Sequence, residues 1–314
     1  MAAFGVALPP SAAFDAVGFG LNAVDHLCVV ARHPEAGSKA PVLSFTRAAG
    51  GQAATAMVTL ARLGRRAKYV GKVGGDEAGV FSLESIRREG VDTSDVATVA
   101  GVTSQLAVIV VDERSGERTI LWHRPREIAT RPEEITPEKV AVGRVLLVDG
   151  HDAPAAARAA AVAKERGIPV VLDAETVKGG TRELVPLVDL LVASSEFPAL
   201  FTGASDREGA LRRLLKLGPR FAAMTLGSDG ALAMTADGGV VRSRGFEVSA
   251  VDTTGAGDVF HGAFVHGLLE GWSVERTLDF SNAAAALNCT ALGGRGRIAG
   301  LDETLAFMEG GRRT

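Results

Sequence analysis

Val251-Asp252-Thr253-Thr254-Gly255-Ala256-Gly257-Asp258 runs straight into the apolar residues Val259 and Phe260. Two glycines and an alanine lie between a turn and a helix predicted over Ala256–Glu270. Small residues let backbone N–H groups come close to an anion. A helix start adds unpaired N–H donors and a favourable dipole. The segment therefore reads as an anion hole built from Gly255, Ala256 and Gly257. Asp258 sits in the first helical turn, where a carboxylate can take the proton of an attacking hydroxyl. Alone, the same residues also describe a capped helix on a tight turn, so the flanking sequence has to arbitrate.

On the N-terminal side, Leu190–Ala193 and Ala222–Leu226 are short, nearly continuous apolar runs, as are Val145–Val148 and Val170–Asp173. With the helix predicted over Pro154–Arg166 between them, they suggest a parallel sheet covered on both faces. Gly230–Met234 and Val240–Arg244 form a hairpin across Ala236–Gly239. Further upstream, the pattern predicts a strand at Phe14–Phe19, β-rich stretches at Asp25–Ala31 and Val42–Thr46, and a helix over Ala53–Leu63 ending at Gly64. A strand at Tyr69–Val73 and a helix over Gly79–Glu89 follow. Gln105–Val111 and Arg118–His123 make a second hairpin across the turn-rich Asp112–Glu117, and Arg124–Pro137 is a polar loop. After Asp258, helices continue at Val274–Thr290 and Asp302–Met308. Met1–Ser11 and Gly310–Thr314 read as loose ends. The expected architecture is a doubly wound α/β domain over 1–314, with a small discontinuous β lid drawn from about 24–48 and 103–125.

Bulk properties fit that picture. The chain has 314 residues, 46% hydrophobic and 23% charged, with a net charge of −3. No long basic block occurs, which argues against a nucleic-acid or membrane footprint. Two distant cysteines, Cys28 and Cys289, suggest neither a disulfide framework nor a metal site. The first cationic residue is Arg32 and no long uninterrupted apolar run occurs, so the cytoplasm is the expected compartment.

Asp252–Ala263, DTTGAGDVFHGA, closely resembles the second signature of the PfkB carbohydrate kinases, the ribokinase-like family. Gly50-Gly51-Gln52-Ala53-Ala54, running on to Ala61-Arg62-Leu63-Gly64, resembles the first signature. Val70–Gly79, Glu89–Asp92 and Thr225–Gly230 are similar to further family segments, in order along nearly the whole chain. The resemblance implies an ATP-dependent kinase that uses Mg²⁺ and phosphorylates a sugar hydroxyl, with Asp258 as base. It places Asp25 where the family binds sugar hydroxyls; a carboxylate there can accept two hydrogen bonds from a diol. Gly50, Gly51, Gln52 and Thr55 fall on the sugar side, with Gln52 and Thr55 standing where the family has Asn. Ser194, Thr225, Gly227, Gly230 and Asn282 fall on the nucleotide side. Asp252 and Thr254 match positions whose backbone oxygens hold a monovalent cation in many relatives, so K⁺ is expected. The family's Asn-x-x-Glu around the Mg²⁺ waters reads here as Ser194-Ser195-Glu196-Phe197, with Glu196 the nearest substitute.

Within the family the likeness is greatest to ketohexokinase-like and sulfofructose kinase-like members, and Lys39 falls where the sulfosugar enzyme has a lysine facing its anionic substrate. The expected substrate is a neutral ketose or pentose. Arg124 and Arg126 offer a possible meeting point for a sulfonate or phosphate. His151 and Asp152, after a strand end, are candidates for sugar contact, while His261 and His266 read as packing or surface residues. A nucleoside kinase would want aromatic stacking, for which Trp122 and Phe45 are the local candidates. A non-catalytic sugar-sensing protein is a further alternative, opposed by the intact Asp258. A dehydrogenase, prompted by Gly18-Phe19-Gly20, lacks the third glycine, with Ala23 in its place. An exposed lid face with Leu106, Val108 and Val110 predicts a homodimer through the lids.

Overall fold

The structure is a computed structural model that describes residues 4–115 and 117–314. Residues 1–3 of the N-terminal segment and Gly116 of the expected hairpin turn lie outside the described residues. β1 (Phe14–Phe19), β2 (Ala23–Val30) and β3 (Val42–Gly50) precede α1 (Gln52–Arg62), β4 (Ala67–Val70) and β5 (Lys72–Gly74). Then come α2 (Glu77–Arg88), β6 (Ala97–Val99), β7 (Leu106–Asp112), β8 (Arg118–His123) and the single turn α3 (Pro137–Val140). The alternating part runs β9 (Gly143–Asp149), α4 (Ala153–Glu165), β10 (Val170–Ala174), α5 (Thr181–Leu184) and β11 (Leu190–Ala193). α6 (Phe197–Thr202), α7 (Arg207–Leu215), β12 (Phe221–Thr225), β13 (Ala231–Thr235) and β14 (Val240–Ser243) follow. Three helices end the chain: α8 (Ala256–Glu270), α9 (Val274–Asn288) and α10 (Leu301–Gly310).

The main sheet has eight strands in the order β14-β13-β12-β11-β10-β9-β1-β4. Pairing is parallel from β4 to β12 and antiparallel through β13 and β14. Both faces are covered, which is why the strands carry continuous apolar runs rather than alternation. On β9, Val145 and Leu147 pack with residues of α1, α8 and α9, while Leu146 and Val148 pack with the alanine face of α4. Each such fully buried aliphatic side chain contributes about 1.5–3 kcal/mol. The fold is thus the doubly wound α/β class the sequence predicts. No helix among the described residues is long and apolar enough to cross a membrane.

A second sheet, ordered β3-β2-β7-β8, draws on two separated stretches of chain. Its register puts Asp25, Ala107 and Trp122 on one face, with Ile109 and Ile120 two residues along. That face looks onto the main body, where Leu27, Ala107, Ile109 and Val111 pack against Leu292.

Several local features differ from the pattern reading. Tyr69–Val73 breaks into β4 and β5 at Gly71, where a Cβ would meet the Tyr69 hydroxyl at 2.3 Å. α2 starts two residues before Gly79 because the Asp76 carboxylate accepts the Gly79 N–H and caps it. α6 and α7 escape the periodicity: the first has six residues with a proline in its first turn, and the second is short and rich in charge. Both chain ends expected to be loose are held by aromatic contacts. Phe4 packs edge-on to Phe221 and Phe264, with ring centroids 5.2 and 5.3 Å away. At the other end, Arg313 lies over Phe246 at 3.9 Å and donates to Arg244 O at 2.9 Å.

Candidate active site

α8 begins where a residue must turn left-handed. Gly255 has φ 71°, and a Cβ there would lie 2.3 Å from Gly294 O. Asp252 holds the approach rigid. Its Oδ1 accepts the Thr254 N–H at 2.9 Å and hydroxyl at 2.7 Å, and its Oδ2 accepts the Gly293 N–H at 2.9 Å. Asn288 Nδ2 donates to Thr254 O at 3.3 Å and Gly294 O at 3.2 Å, closing the loop against α9. Ala256 N–H reaches Thr253 O at 3.3 Å, whereas the amides of Gly257 and Asp258 have no acceptor among the described residues. A Cβ on Gly257 would meet nothing within 4 Å. The helix head is therefore open at the backbone, as an anion requires.

Asp258 lines a cleft of about 650 Å³ between this helix head, the C-terminal ends of β1, β9 and β10, and the inner face of the second sheet. Asp25, Gly51, Gln52 and Gln105 line the same cleft. Desolvation in the cleft wall, and then the negative charge of Asp173, push the Asp258 carboxyl well above its ordinary value. Burial raises Asp25 to about 6, against the opposing pull of Arg295. Both shifts raise the proton affinity of these carboxylates above that of an exposed aspartate. Gly50 has to lack a side chain because a Cβ would meet Asp25 Oδ2 at 2.2 Å.

Beneath Asp258 lies a layer that the sequence reading passed over. Asp173, at the end of β10, is buried and held far above its usual range by burial and by Asp149. Its Oδ1 is 3.4 Å from His261 Nε2, and its Oδ2 is buried without a hydrogen-bond partner among the described residues. His261, read as a packing or surface residue, is buried against this layer. It is fully enclosed, its Nδ1 is 2.7 Å from Gly257 O, and desolvation keeps it neutral. Asp149 accepts the Leu21 N–H at 2.6 Å and the His151 N–H at 3.0 Å, tying the ends of β1 and β9.

The remaining expected residues divide. Thr55 is buried and accepts from Arg295 Nε at 3.0 Å, so it faces the sugar side only through that guanidinium. Lys39 lies on the exposed segment between β2 and β3, outside the residues lining the cleft. Arg124 pairs with Asp152 at 2.8 Å, and Thr130 N–H binds the same carboxylate at 2.9 Å, which turns Asp152 away from sugar contact. His151 does line the cleft, with its Nδ1 3.4 Å from Lys178 Nζ. Trp122 lines it too, but Phe45 is on the opposite face, stacked 5.7 Å from His26. His266 is buried against Trp272 and Phe280.

On the other side of Asp258 the strand ends carry the expected nucleotide residues. Ser194 and Thr225 follow β11 and end β12 respectively, and the Thr225 hydroxyl donates to Ala193 O at 3.4 Å. Gly227 (φ 59°) and Gly230 (φ 90°) bracket the turn after β12. Gly230 is forced by packing, since a Cβ would lie 2.1 Å from Ser243 O, whereas Gly227 faces open space. Asn282 is bound to β14, its Nδ2 donating to Ser243 Oγ at 2.8 Å. Ser195 and Glu196 line a separate pocket of about 540 Å³. Among the described residues no cluster of three or more His, Cys, Asp or Glu is placed to hold a metal ion.

An open helix head and the carboxylates of Asp258 and Asp25 thus share one cleft, and the comparisons give the class of protein, a phosphotransferase with an alcohol acceptor. The chain belongs to the pfkB family carbohydrate kinases, whose sequence model matches residues 15–298. It is similar to the ribokinase of Haemophilus influenzae, with 29% identity over 91% of this chain and 95% of that protein. It is 32% identical to the ATP-dependent ribose-1-phosphate kinase of Halopiger xanaduensis, over 85% of this chain and 88% of that one. The structure of ribokinase from Thermotoga maritima superposes with a TM-score of 0.83 at 25% identity, covering 94% of this chain and 99% of that one. Sugar kinase activity follows from this membership.

Proposed function

We propose that this kinase transfers the terminal phosphoryl group of ATP to a hydroxyl of a ketose or pentose, with Asp258 as general base. The observation that supports the reading most is the pairing of Asp258 with the open Gly257 and Asp258 amides on one wall of the cleft that Asp25 also lines. Asp25 accepts hydrogen bonds from two sugar hydroxyls, and Gly51 and Gln52 close the sugar side. Asp258 accepts the proton of the attacking hydroxyl, and its raised proton affinity suits that task. The amides at the head of α8 receive the migrating phosphoryl oxygens. Ser194, Thr225 and Gly227 take the nucleotide side, with Glu196 nearest to the metal's water shell. Mg²⁺, when bound with ATP, neutralises phosphate charge. K⁺ would use the backbone oxygens of Asp252 and Thr254.

The second sheet acts as a lid that excludes water, so that ATP is not hydrolysed. Its outer face carries Phe45 and Leu121, 62% and 61% exposed; a second copy of the chain covers them in a homodimer. The cytoplasm is the compartment that suits such a kinase. A second reading, a sugar bearing an acidic group, is favoured by one observation: Lys178 and Arg118 line the cleft, and neither has a carboxylate within 4 Å among the described residues.

The test is ADP release from purified protein with Mg·ATP, K⁺ and a panel of ketoses, pentoses, nucleosides, sugar phosphates and sulfofructose. Release confined to neutral sugars supports the first reading, and release confined to acidic sugars the second. Sugar binding with no release under any condition would replace both with a sensing role.

A further inference from the structure

Arg295 follows α9 in the glycine-rich loop that also packs against Gly255. Its donors join four segments of the sugar side. Nε donates to Thr55 Oγ1 on α1 at 3.0 Å, and Nη1 to Ser85 Oγ on α2 at 3.0 Å. Nη2 donates to Gly50 O at 2.8 Å and, more loosely, to Asn22 Oδ1 at 3.4 Å. All four acceptors are neutral, and no carboxylate lies within 4 Å of the guanidinium among the described residues. A desolvated cation without an ion pair is costly unless charge nearby balances it. The carboxylates whose charge reaches it are Asp25 and Asp258, followed by Glu89, with the Tyr69 phenol also facing it. Glu89 is already committed to Arg62 at 2.7 Å.

We propose that Arg295 is a positioning residue for sugar recognition: its fork fixes the Asn22, Gly50 and Thr55 frame around Asp25, and its charge keeps Asp25 ionised. This rests on the sugar-kinase reading for its role, but the coupling of Arg295 to Asp25 stands apart from it. The groups facing Asp25 are Arg295, which favours the carboxylate, and Asp252, which opposes it, and Asp258 across the cleft feels Asp25 in turn. Desolvation pushes Arg295 down to about 10, still charged at neutral pH.

The experiment has two arms on the full-length protein. The first follows the Asp25 carboxyl by ¹³C NMR through pH 4–8, assigned with Asp25→Asn, in wild type and Arg295→Gln. The midpoint is expected near 6 in wild type and clearly higher in Arg295→Gln. The second measures steady-state kinetics: KM for the sugar is expected to rise on the order of 10- to 100-fold, with KM for ATP nearly unchanged and the acid limb of kcat/KM displaced to higher pH. Arg295→Lys keeps the charge and loses the fork, so its titration should stay near wild type while its sugar KM rises. It also serves if the neutral variant does not fold. A folded variant with wild-type titration and wild-type sugar KM overturns the proposal. Equal changes in both KM values with an unmoved acid limb would show a scaffold role and also overturn it. If wild type phosphorylates no sugar, the kinase reading fails while the titration still reports on Arg295.

Discussion

In the proposed sugar site, Asp25 would serve binding at a cost to stability. Its carboxyl titrates near 6 when folded against 3.8 as an ordinary aspartate. The folded form therefore holds a proton more tightly than the unfolded chain, and stability declines as pH rises from about 4 to about 6. At pH 7.5 the ionised group costs up to about 3 kcal/mol in the empty protein. Asp25→Asn is expected to raise the melting temperature by a few degrees at that pH while abolishing tight sugar binding; scanning calorimetry and titration calorimetry check the two halves. An unchanged or lowered melting temperature would contradict the assigned burial cost. For the wild type, sugar affinity should fall as pH drops through 6, because the protonated carboxyl can no longer accept two hydroxyls. Asp25 and Asp258 were both legible as residues, since each sits in a short local motif. The role of Arg295 was not, although the stretch Cys289–Arg295 resembles a family segment: its partners at 22, 50, 55 and 85 lie far off in sequence. Asp173 and His261 were hidden similarly, because the contact between β10 and α8 that joins them exists only after folding.

At the level of elements, the head of α8 is a small device set by geometry. Gly255 is both left-handed and in contact with Gly294. Gly255→Ala would place a Cβ against that carbonyl in a conformation that costs about 1–3 kcal/mol. The expected result is a lower melting temperature and at least ~10-fold lower turnover with sugar KM changed little. Near-normal turnover would show that the amides need not be held so tightly. α8 was readable to its ends because a glycine stands at each one and apolar residues dominate between them. β5 and β6 were not, since three-residue strands that pair across 25 residues leave no period to detect. α7 was missed because its exposed charges outweigh Ala210, Leu211 and Leu214, the residues it buries.

Across the whole molecule, doubly wound topology follows from apolar strands alternating with helices, and the parallel sheet from β4 to β12 matches it. The lid face expected to be exposed, with Leu106, Val108 and Val110, is the outward one, since Val108 pairs with Leu121, and Cys28 pairs with both Val110 and Phe45. The register leaves Phe45 and Leu121 on that outward face. Light scattering after gel filtration is expected to give a dimer for wild type and a monomer for Leu121→Glu, because a buried charge without a partner is costly. A monomeric wild type at micromolar concentration would remove the dimer. The account as a whole turns on Asp258 taking a proton while its helix head receives a phosphoryl group. ³¹P NMR of Mg·ATP with the accepted sugar follows the new phosphate ester directly. Wild type should form it, and Asp258→Asn should form it ~10²- to 10⁴-fold more slowly with ATP binding intact. Equal rates of ester formation in the two proteins would contradict the account.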